Sequence, residues 1–487
     1  MHKKLLYQLL IKSKSRSLIK VYGFFVTMYI LIKGGVQVEI NELNKMFNAN
    51  AVAVIGASNN SNKTGYQILK NLIDGGYKGK IYPINHKDNE ILGLKAYSKI
   101  SDINGDIDLA VIVIPGPFIP EVMKEMGEKN VNNAIIISGG FKEIGNNDLE
   151  NEVIEAAKKY NIAFVGPNCQ GINYTNNNLC ASWPLITTKG PLSIIAQSGT
   201  VAATFGTWAD QDGIGTSGIV SLGNKTDLNE LDFIDFFLKD DKTKVIALNI
   251  EGLKDGKQFM EIAKNNDKKD IVVLKPGRTK KGIKVAQSHT KSVSGSDVIF
   301  DAACKQSGVI RAYSITELYD YSKALALLQK PKGNRVMVIT SSGGCGILAT
   351  DIFEEQGVEV VDLNPELANK LKLELPPHCV VSNPLDLTGD TDAYRYEKCV
   401  NFANEYDDID MFLLIFGDPI PNACDVVSAL TEKANKPITV CYLGGGEIER
   451  EETILMHKKG IPVFPTPERA AKAISILLRK NEKEVIK

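Results

Sequence analysis

Residues 51–85 read AVAVIGASNNSNKTGYQILKNLIDGGYKGKIYPIN. The first five are apolar without interruption, as in a strand buried on both faces. Gly56-Ala57-Ser58 breaks that run, and an amphipathic stretch over 65–74 is expected as a helix that Gly75-Gly76 stops. A second apolar run at 79–84 completes a strand, glycine loop, helix, strand unit. That order calls for parallel strands joined by crossover helices, the repeating element of an α/β layer fold.

The same alternation continues outward. Strands are expected at 109–114, 134–138 and 162–165, with a helix at 120–129, giving one doubly wound, Rossmann-like unit that ends near Tyr174. The asparagine-rich stretch 173–179 is expected as a linker. A second α/β unit follows, with strands at 192–196, 217–221, 245–250, 271–275 and 308–312 and a closing helix at 314–328. Pro331-Lys332-Gly333-Asn334 marks the next boundary, and a third unit runs from a strand at 335–340 to a helix around 467–479. The expected division is therefore 1–37, 38–175, 176–330 and 331–487.

Composition sets limits on function. The 487 residues are 44% hydrophobic and 24% charged, as in ordinary globular chains, and the formal net charge is −1. A general nucleic-acid binder needs a basic excess to displace counterions, so no nucleic-acid partner is expected. The eight cysteines are scattered singly, without a CxxC pair or metal-ligand spacing, and read as free thiols of a reducing, cytoplasmic compartment.

The amino-terminal stretch is different. Lys3, Lys4, Lys12, Lys14, Arg16 and Lys20 precede an apolar run over 21–32, short of the roughly 20 residues that span a bilayer. No membrane partner is expected, and no clear small-residue cleavage site follows. Lys33-Gly34-Gly35-Val36 can be encoded by a purine-rich stretch resembling a ribosome-binding site, and a GTG codon for Val38 lies at a suitable distance. Residues 1–37 are thus expected to be an upstream extension of the coding sequence; their peptides in protein from the native cell would contradict this.

Three glycine-containing loops follow strands and open helices. Gly56-Ala57-Ser58-Asn59 leads to the helix at 65–74, whose free N–H groups suit a pyrophosphate, although a tight turn needing glycine explains the same residues. Gln197-Ser198-Gly199-Thr200 offers backbone donors and two hydroxyls, or a plain helix cap. Ser341-Ser342-Gly343-Gly344-Cys345-Gly346 has the same character, and its ligand stays open.

Among the five histidines, His289 stands out, because Gln287-Ser288-His289-Thr290 leads into Ser292, Ser294, Gly295, Ser296 and Asp297. A small-residue polar loop there leaves an imidazole accessible. His86, His378 and His457 have ordinary loop or helix settings. Neutral imidazole is a good transient phosphoryl acceptor, but the role needs a carboxylate to fix the tautomer and an anion cradle. Glu251, at the end of the strand 245–250, can supply the first, and Ser198–Thr200 the second. A surface histidine among capping serines remains the alternative.

The order of motifs resembles the α subunit of succinyl-CoA synthetase and, more closely, of the archaeal-type ADP-forming acetate–CoA ligases. The matching pieces are AVIGAS, IPGPF, GPNCQG, IIAQSGT, SLGN, DFIDFF, IEGLKDG and VLKPGRTKKG leading into QSHT, then SGSD and GVIRA, over about 51–328. NPLDLTGD at 383–390 is similar to an extra domain that the ADP-forming ligases possess and succinyl-CoA synthetase α lacks. The resemblance implies an α/β chain with a Rossmann-like CoA-binding domain followed by two flavodoxin-like, succinyl-CoA synthetase-type domains. It implies that His289 is phosphorylated, that Glu251 hydrogen-bonds it, and that Ser198, Gly199 and Thr200 receive the phosphoryl group. It places CoA on Gly56, Ala57, Ser58 and Asn59, with Lys87 near its phosphates and Ile137, Ser138 and Gly139 at a further strand end. No metal ligand is implied in this chain.

One position departs from the pattern. The family has glycine after the His-Thr pair, where this chain has Lys291, which either strains a backbone needing positive φ or brings an ammonium near the phosphoryl group.

The implied chemistry converts acyl-CoA and phosphate to acyl phosphate and CoA, phosphorylates His289 with release of the carboxylate, and passes the phosphoryl group to ADP. In the family that last site, with its Mg²⁺ and ADP or ATP, belongs to an ATP-grasp β subunit in an α₂β₂ assembly. Acetate is the default carboxylate, since no motif identifies an acyl pocket. A non-catalytic CoA-binding regulatory protein of the same fold is the alternative. A dehydrogenase is disfavoured, because it wants GxGxxG and an acidic residue about 20 residues later, where Asn85-His86-Lys87 stands.

Overall fold

The computed structural model describes residues 40–290 and 296–478, with side chains over 43–286 and 296–478. Before residue 44 the structure describes the helical residues 40–43, which fall in a unit of their own; the expected extension 1–37 lies outside the described residues. Everything below concerns the unit 44–487.

Five parallel strands form the first sheet: β1 (Ala51–Ile55), β2 (Lys80–Ile84), β3 (Leu109–Ile112), β4 (Asn133–Ile136) and β5 (Ala163–Val165), in the order β2-β1-β3-β4-β5. Both faces are covered, which is why the strands read as continuous apolar runs. Alternate residues Ala53, Ile55, Ala110, Ile112, Ala134 and Ile136 face α2 (Ile119–Glu128) and α3 (Asn147–Tyr160) in one core. On β1, Val52 and Val54 are equally buried. The crossover helix α1 (Thr64–Asp74) buries Ile68, Leu69 and Leu72.

The second sheet has seven strands: β6 (Gly171–Tyr174), β7 (Leu179–Ser182), β8 (Lys189–Ala196), β9 (Thr216–Ser221), β10 (Val245–Asn249), β11 (Asp270–Leu274) and β12 (Ile310–Ala312). Their order is β12-β11-β10-β8-β9-β6-β7. The helices are α4 (Gly199–Gln211), α5 (Glu230–Lys239), α6 (Gly256–Lys264), α7 (Lys280–Thr290), α8 (Asp297–Ser307) and α9 (Ile315–Leu327).

The expected linker at 173–179 is not one. Gly171–Tyr174 and Leu179–Ser182 pair as an antiparallel hairpin, and the first of them extends the second sheet against β9. The asparagines are pegs: Asn173 is buried and accepts from the Ser182 hydroxyl, Asn177 Nδ2 donates to the Phe47 carbonyl at 2.7 Å, and Asn178 takes a left-handed φ of 62° at the turn. Helix α1 of the first sheet packs on β7.

The third sheet is built from β13 (Arg335–Thr340), β14 (Glu359–Val360), β15 (Leu385–Asp386), β16 (Met411–Phe416), β17 (Ile438–Tyr442) and β18 (Val463–Phe464). Its closing helix α10 (Pro467–Ser475) packs on α9 of the second layer. Charges pin that seam. Arg469 grips Asp320 through two hydrogen bonds of 2.7 and 2.8 Å. Asp212, just past α4, accepts from the Tyr319 hydroxyl at 2.7 Å and from Lys323 Nζ at 3.3 Å, and its Oδ1 lies 3.7 Å from His457 Nδ1. Lys323 also donates to the Val463 carbonyl at 2.8 Å.

His457 lies in a helix, Gly446–Lys458, and is buried. Burial first, and then the Lys323 ammonium, push its imidazole from 6.5 down to about 4. The unfolded chain takes up this proton near the ordinary value and the folded chain only near 4, so stability is lost as pH falls between them. Wild type is expected to lose about 1–2 kcal/mol more between pH 7.5 and pH 5 than His457→Gln, read from urea midpoints. Equal losses in the two proteins would contradict this assignment.

Candidate active site

Strand order locates the crevices. In the first sheet β1 lies between β2 and β3, and in the second β8 lies between β10 and β9, so successive crossovers leave each of these two strands on opposite sides. Ligands of open parallel sheets bind beyond the carboxyl ends of strands at such switch points. Gly56 follows β1 and Ser198 follows β8.

At the first crevice, Gly56 has a φ of 93°, and a Cβ there would lie 2.6 Å from the Val113 carbonyl oxygen, so both conformation and space require glycine. Ala57 is buried, and the Ser58 hydroxyl accepts from the Asn60 N–H at 3.1 Å. Asn59 spends its side chain locally: Nδ2 donates to the Glu90 carbonyl at 2.9 Å and Oδ1 accepts from the Leu92 N–H at 3.2 Å. Lys87 is exposed beyond the end of β2, its N–H held by Asn85 Oδ1 at 2.8 Å. Ile137, Ser138 and Gly139 follow β4 at the same edge, and the Ser138 hydroxyl donates to the Ile114 carbonyl.

At the second crevice, β8 and β10 run in register with Ala196 beside Asn249. The residues that follow are thus forced together. The Gln197 N–H donates to the Asn249 carbonyl at 2.8 Å, and Gln197 Oε1 accepts from the Glu251 N–H at 3.1 Å. Ser198 caps α4, its hydroxyl accepting from the Val201 N–H at 3.5 Å, and Gly199 and Thr200 form the first helical residues. Glu251 is buried. A helix start with its dipole and a carboxylate thus flank one crevice, joined by a single glutamine.

A second tie holds the Glu251 loop. Lys225, at φ 43°, pairs with the buried Glu230 at 2.8 Å and donates to the Gly252 carbonyl; Glu230 Oε1 accepts from the Lys254 N–H at 2.7 Å. Gln197 had been visible only as a loop residue, and nothing in the spacing of Lys225 or Glu230 announces that they anchor the loop carrying Glu251.

The next strand, β11, leads through Gly277 into α7. Gly277 has a φ of 76°, Thr279 Oγ1 accepts from the Gly282 N–H at 3.1 Å, and a Cβ at Gly277 would lie 3.3 Å from the Ala286 methyl. His289, expected in a loop, lies in the last turn of this helix; its side chain, Thr290's side chain and Lys291 lie outside the described residues. Beyond them, Asp297 at the start of α8 pairs with Arg311 at 2.7 Å, and the Arg311 guanidinium lies over the Phe300 ring. Burial, partly offset by Asp297, holds the nearby Lys275 ammonium below its usual range.

The two crevices adjoin. The Asn224 N–H, in the loop after β9, donates to the Pro167 carbonyl at 2.9 Å, and a Cβ at Gly223 would strike the Pro167 and Asn168 carbonyls at 2.3 Å. Asn224 Nδ2 donates to Glu143 at 2.7 Å. Burial works to raise the Glu143 carboxyl, but this bond and those from the Gly140 and Phe141 N–H groups hold it below its usual value. The described structure therefore groups Ser198–Thr200 with Glu251, and Gly56–Asn59, Lys87 and Ile137–Gly139 along the neighbouring sheet edge.

Comparison with known proteins agrees with this layout. The described matches are a CoA binding domain at 50–175, a succinyl-CoA ligase like flavodoxin domain at 189–325 and a Ligase-CoA domain at 336–481. The α subunit of an acetate–CoA ligase (ADP-forming) from Pyrococcus furiosus is 41% identical over 90% of this chain and 97% of its own length. The chain belongs to the ADP-forming acetate–CoA ligase family. Within that family, a Methanocaldococcus jannaschii acetate–CoA ligase (ADP-forming) is 42% identical over 90% of this chain but is longer, the match covering 63% of it. A solved structure of a Candidatus Korarchaeum cryptofilum acetyl-coenzyme A synthetase, in complex with phosphate and ADP, is 36% identical with a TM-score of 0.84, covering 91% of this chain and 97% of that one. Among the described residues, no helix is long and apolar enough to cross a membrane.

Replacing Gln197 by Leu is expected to lower kcat/KM for acyl-CoA cleavage by about 100-fold, because misplacement of a catalytic group by about 1 Å costs that much, with little change in the thermal midpoint. A variant as active as wild type would contradict the role of this bond.

Proposed function

We propose that the chain binds CoA and carries the phosphohistidine of an ADP-forming acyl-CoA ligase, with His289 as the phosphorylated residue. The observation that carries this reading is the forced pairing of the Ser198–Thr200 helix start with Glu251 at the switch point of the second sheet. In chain order, β11 and α7 then lead to His289. Family membership favours a catalytic chain over a CoA-binding regulator.

CoA lies along the first crevice, with its phosphates toward the Gly56–Ser58 backbone and Lys87, the backbone of Asn59, and Ile137–Gly139. A phosphate oxygen attacks the thioester carbon; the new C–O bond replaces C–S, and the CoA thiolate takes the proton released from hydrogen phosphate. The His289 nitrogen then attacks phosphorus of the acyl phosphate and the carboxylate leaves. The N–H groups of Gly199 and Thr200 carry the phosphoryl charge, and Glu251 accepts the second imidazole N–H, which keeps the attacking nitrogen unprotonated. Phosphohistidine finally donates to ADP.

That acceptor site belongs to a second polypeptide. The Pyrococcus relative is named an α subunit, a name that implies a partner polypeptide. An ATP-grasp β subunit, bringing ADP and Mg²⁺ into an α₂β₂ assembly in the cytoplasm, completes the reaction.

With such a β subunit the chain is expected to form ATP from acetyl-CoA, ADP and phosphate, and to form none without it. His289→Ala in the complex should fall to background. ATP formation by that variant would contradict the assignment.

A further inference from the structure

The stretch Asn168-Cys169-Gln170 joins the two crevices. At its start, the Asn168 N–H donates to the Ser138 carbonyl at 2.9 Å, on the ligand edge of the first sheet. At its end, the Gln170 side chain lies over the start of α4, so closely that a Cβ on Gly199 would stand 2.4 Å from its Cγ and 3.0 Å from its Nε2. Backbone bonds hold Gln170 there: its N–H donates to the Ser221 hydroxyl at 3.0 Å, and its carbonyl accepts from the Trp183 N–H at 3.3 Å. Gln170 and Thr200 line the same open cavity of about 350 Å³, which leaves room for a reactant beside the helix start.

The three side chains differ in what they do for the fold. Asn168 Nδ2 donates to Asn224 Oδ1 at 3.4 Å, and the buried Cys169 thiol donates to the Ile136 carbonyl at 3.3 Å. The Gln170 carboxamide is not spent in this way: Oε1 is buried without a hydrogen-bond partner among the described residues. Of its two heteroatoms Nε2 is the nearer to Gly199, so the N–H end is the one presented to the helix start. An amide held unspent at such a place calls for a functional reason.

We propose that Gln170 is a catalytic residue of acyl-CoA cleavage, its Nε2–H donating to the acyl carbonyl oxygen while phosphate attacks the thioester. The inference rests on the reading that Ser198–Thr200 receives the phosphoryl group and that CoA lies along the first crevice. The thioester carbon is the atom that must reach both, and it meets phosphate where Asn168–Gln170 joins them. A phosphate oxygen bonds to that carbon, and the C=O π pair moves onto oxygen as a full negative charge. The pair returns as the C–S bond breaks, and the electrons of that bond leave with sulfur. Gln170 stays neutral throughout and loses no proton. A fixed donor at a developing oxyanion needs no reorganisation during the step, and loss of one such donor costs about 100-fold or more. In the later attack of His289 on phosphorus, the same oxygen only shares the charge of the departing carboxylate, so the bond contributes less.

Two routes to the same phosphohistidine separate these steps. The full-length chain is labelled either by acetyl-CoA with ³²P-phosphate, which requires attack on the thioester, or by ³²P-labelled acetyl phosphate, which does not. Gln170→Leu keeps the bulk and removes the donor. It is expected to lower the ratio of the first initial rate to the second about tenfold or more. An unchanged or raised ratio overturns the proposal, and equal losses by both routes, the mark of a merely structural role, leave the ratio unchanged. Wild type that takes no label from acetyl phosphate overturns instead the phosphohistidine reading beneath it. Should Gln170→Leu take no label by either route, Gln170→Glu, of the same shape with no N–H to donate, decides on the same ratio.

Discussion

The register between β8 and β10 is the constraint from which the site follows. Ala196 pairs with Asn249, so whatever succeeds these strands must emerge side by side at one sheet edge. What succeeds them is a glutamine opening a capped helix and a glutamate opening a loop, and Gln197 bonds to both the Asn249 carbonyl and the Glu251 N–H. A one-residue slip would turn every buried side chain of these strands to the opposite face, so the apolar cores on both sides lock the register. The placement of a helix start beside a carboxylate is therefore a consequence of core packing, and the loops add only orientation.

Around that pair the fold supplies rigidity where chemistry needs it. The Lys225–Glu230 ion pair holds the loop after Glu251, and Asp297–Arg311 holds the chain beyond His289. Both are largely buried, so loss of one partner would strand a charge in a poorly solvated place. The seam between the first two sheets combines backbone contacts, as at Gly223 against the Pro167 and Asn168 carbonyls, with side-chain bonds such as Asn224 to Glu143. It draws the end of one sheet's ligand edge against that of the next. The third sheet is fixed differently, by Arg469–Asp320 and the Asp212 cluster at the far end of α4, the helix that Ser198 caps.

Much of this was legible in the sequence. Apolar runs mark β1, β3, β10 and β16, because strands covered on both faces leave no polar alternation, and β13 falls where expected at 335–340. Two readings failed for identifiable reasons. Asparagine clusters usually mean a loop, since the side chain competes with the backbone for hydrogen bonds. At 173–179 that competition is satisfied by tertiary partners, the Ser182 hydroxyl and the Phe47 carbonyl among them, so a hairpin forms. Likewise the small polar residues near His289 suggested a loop, yet helix α7 runs through Thr290, nucleated by the Thr279 cap and packed on Gly277. The roles of Gln197, Lys225 and Glu230 could not be read at all, because they depend on partners 54, 27 and 24 residues away.

We propose that this fold passes a phosphoryl group through one imidazole. Incubating the purified chain and its His289→Ala variant with ³²P-labelled acetyl phosphate tests it most directly, with the label's stability followed in acid and in base. Label on wild type alone, lost in acid and retained in base, is the predicted result. Equal labelling of the variant, or none on either protein even with an ATP-grasp partner and Mg²⁺ present, would contradict it and return the chain to a CoA-binding role without phosphoryl transfer.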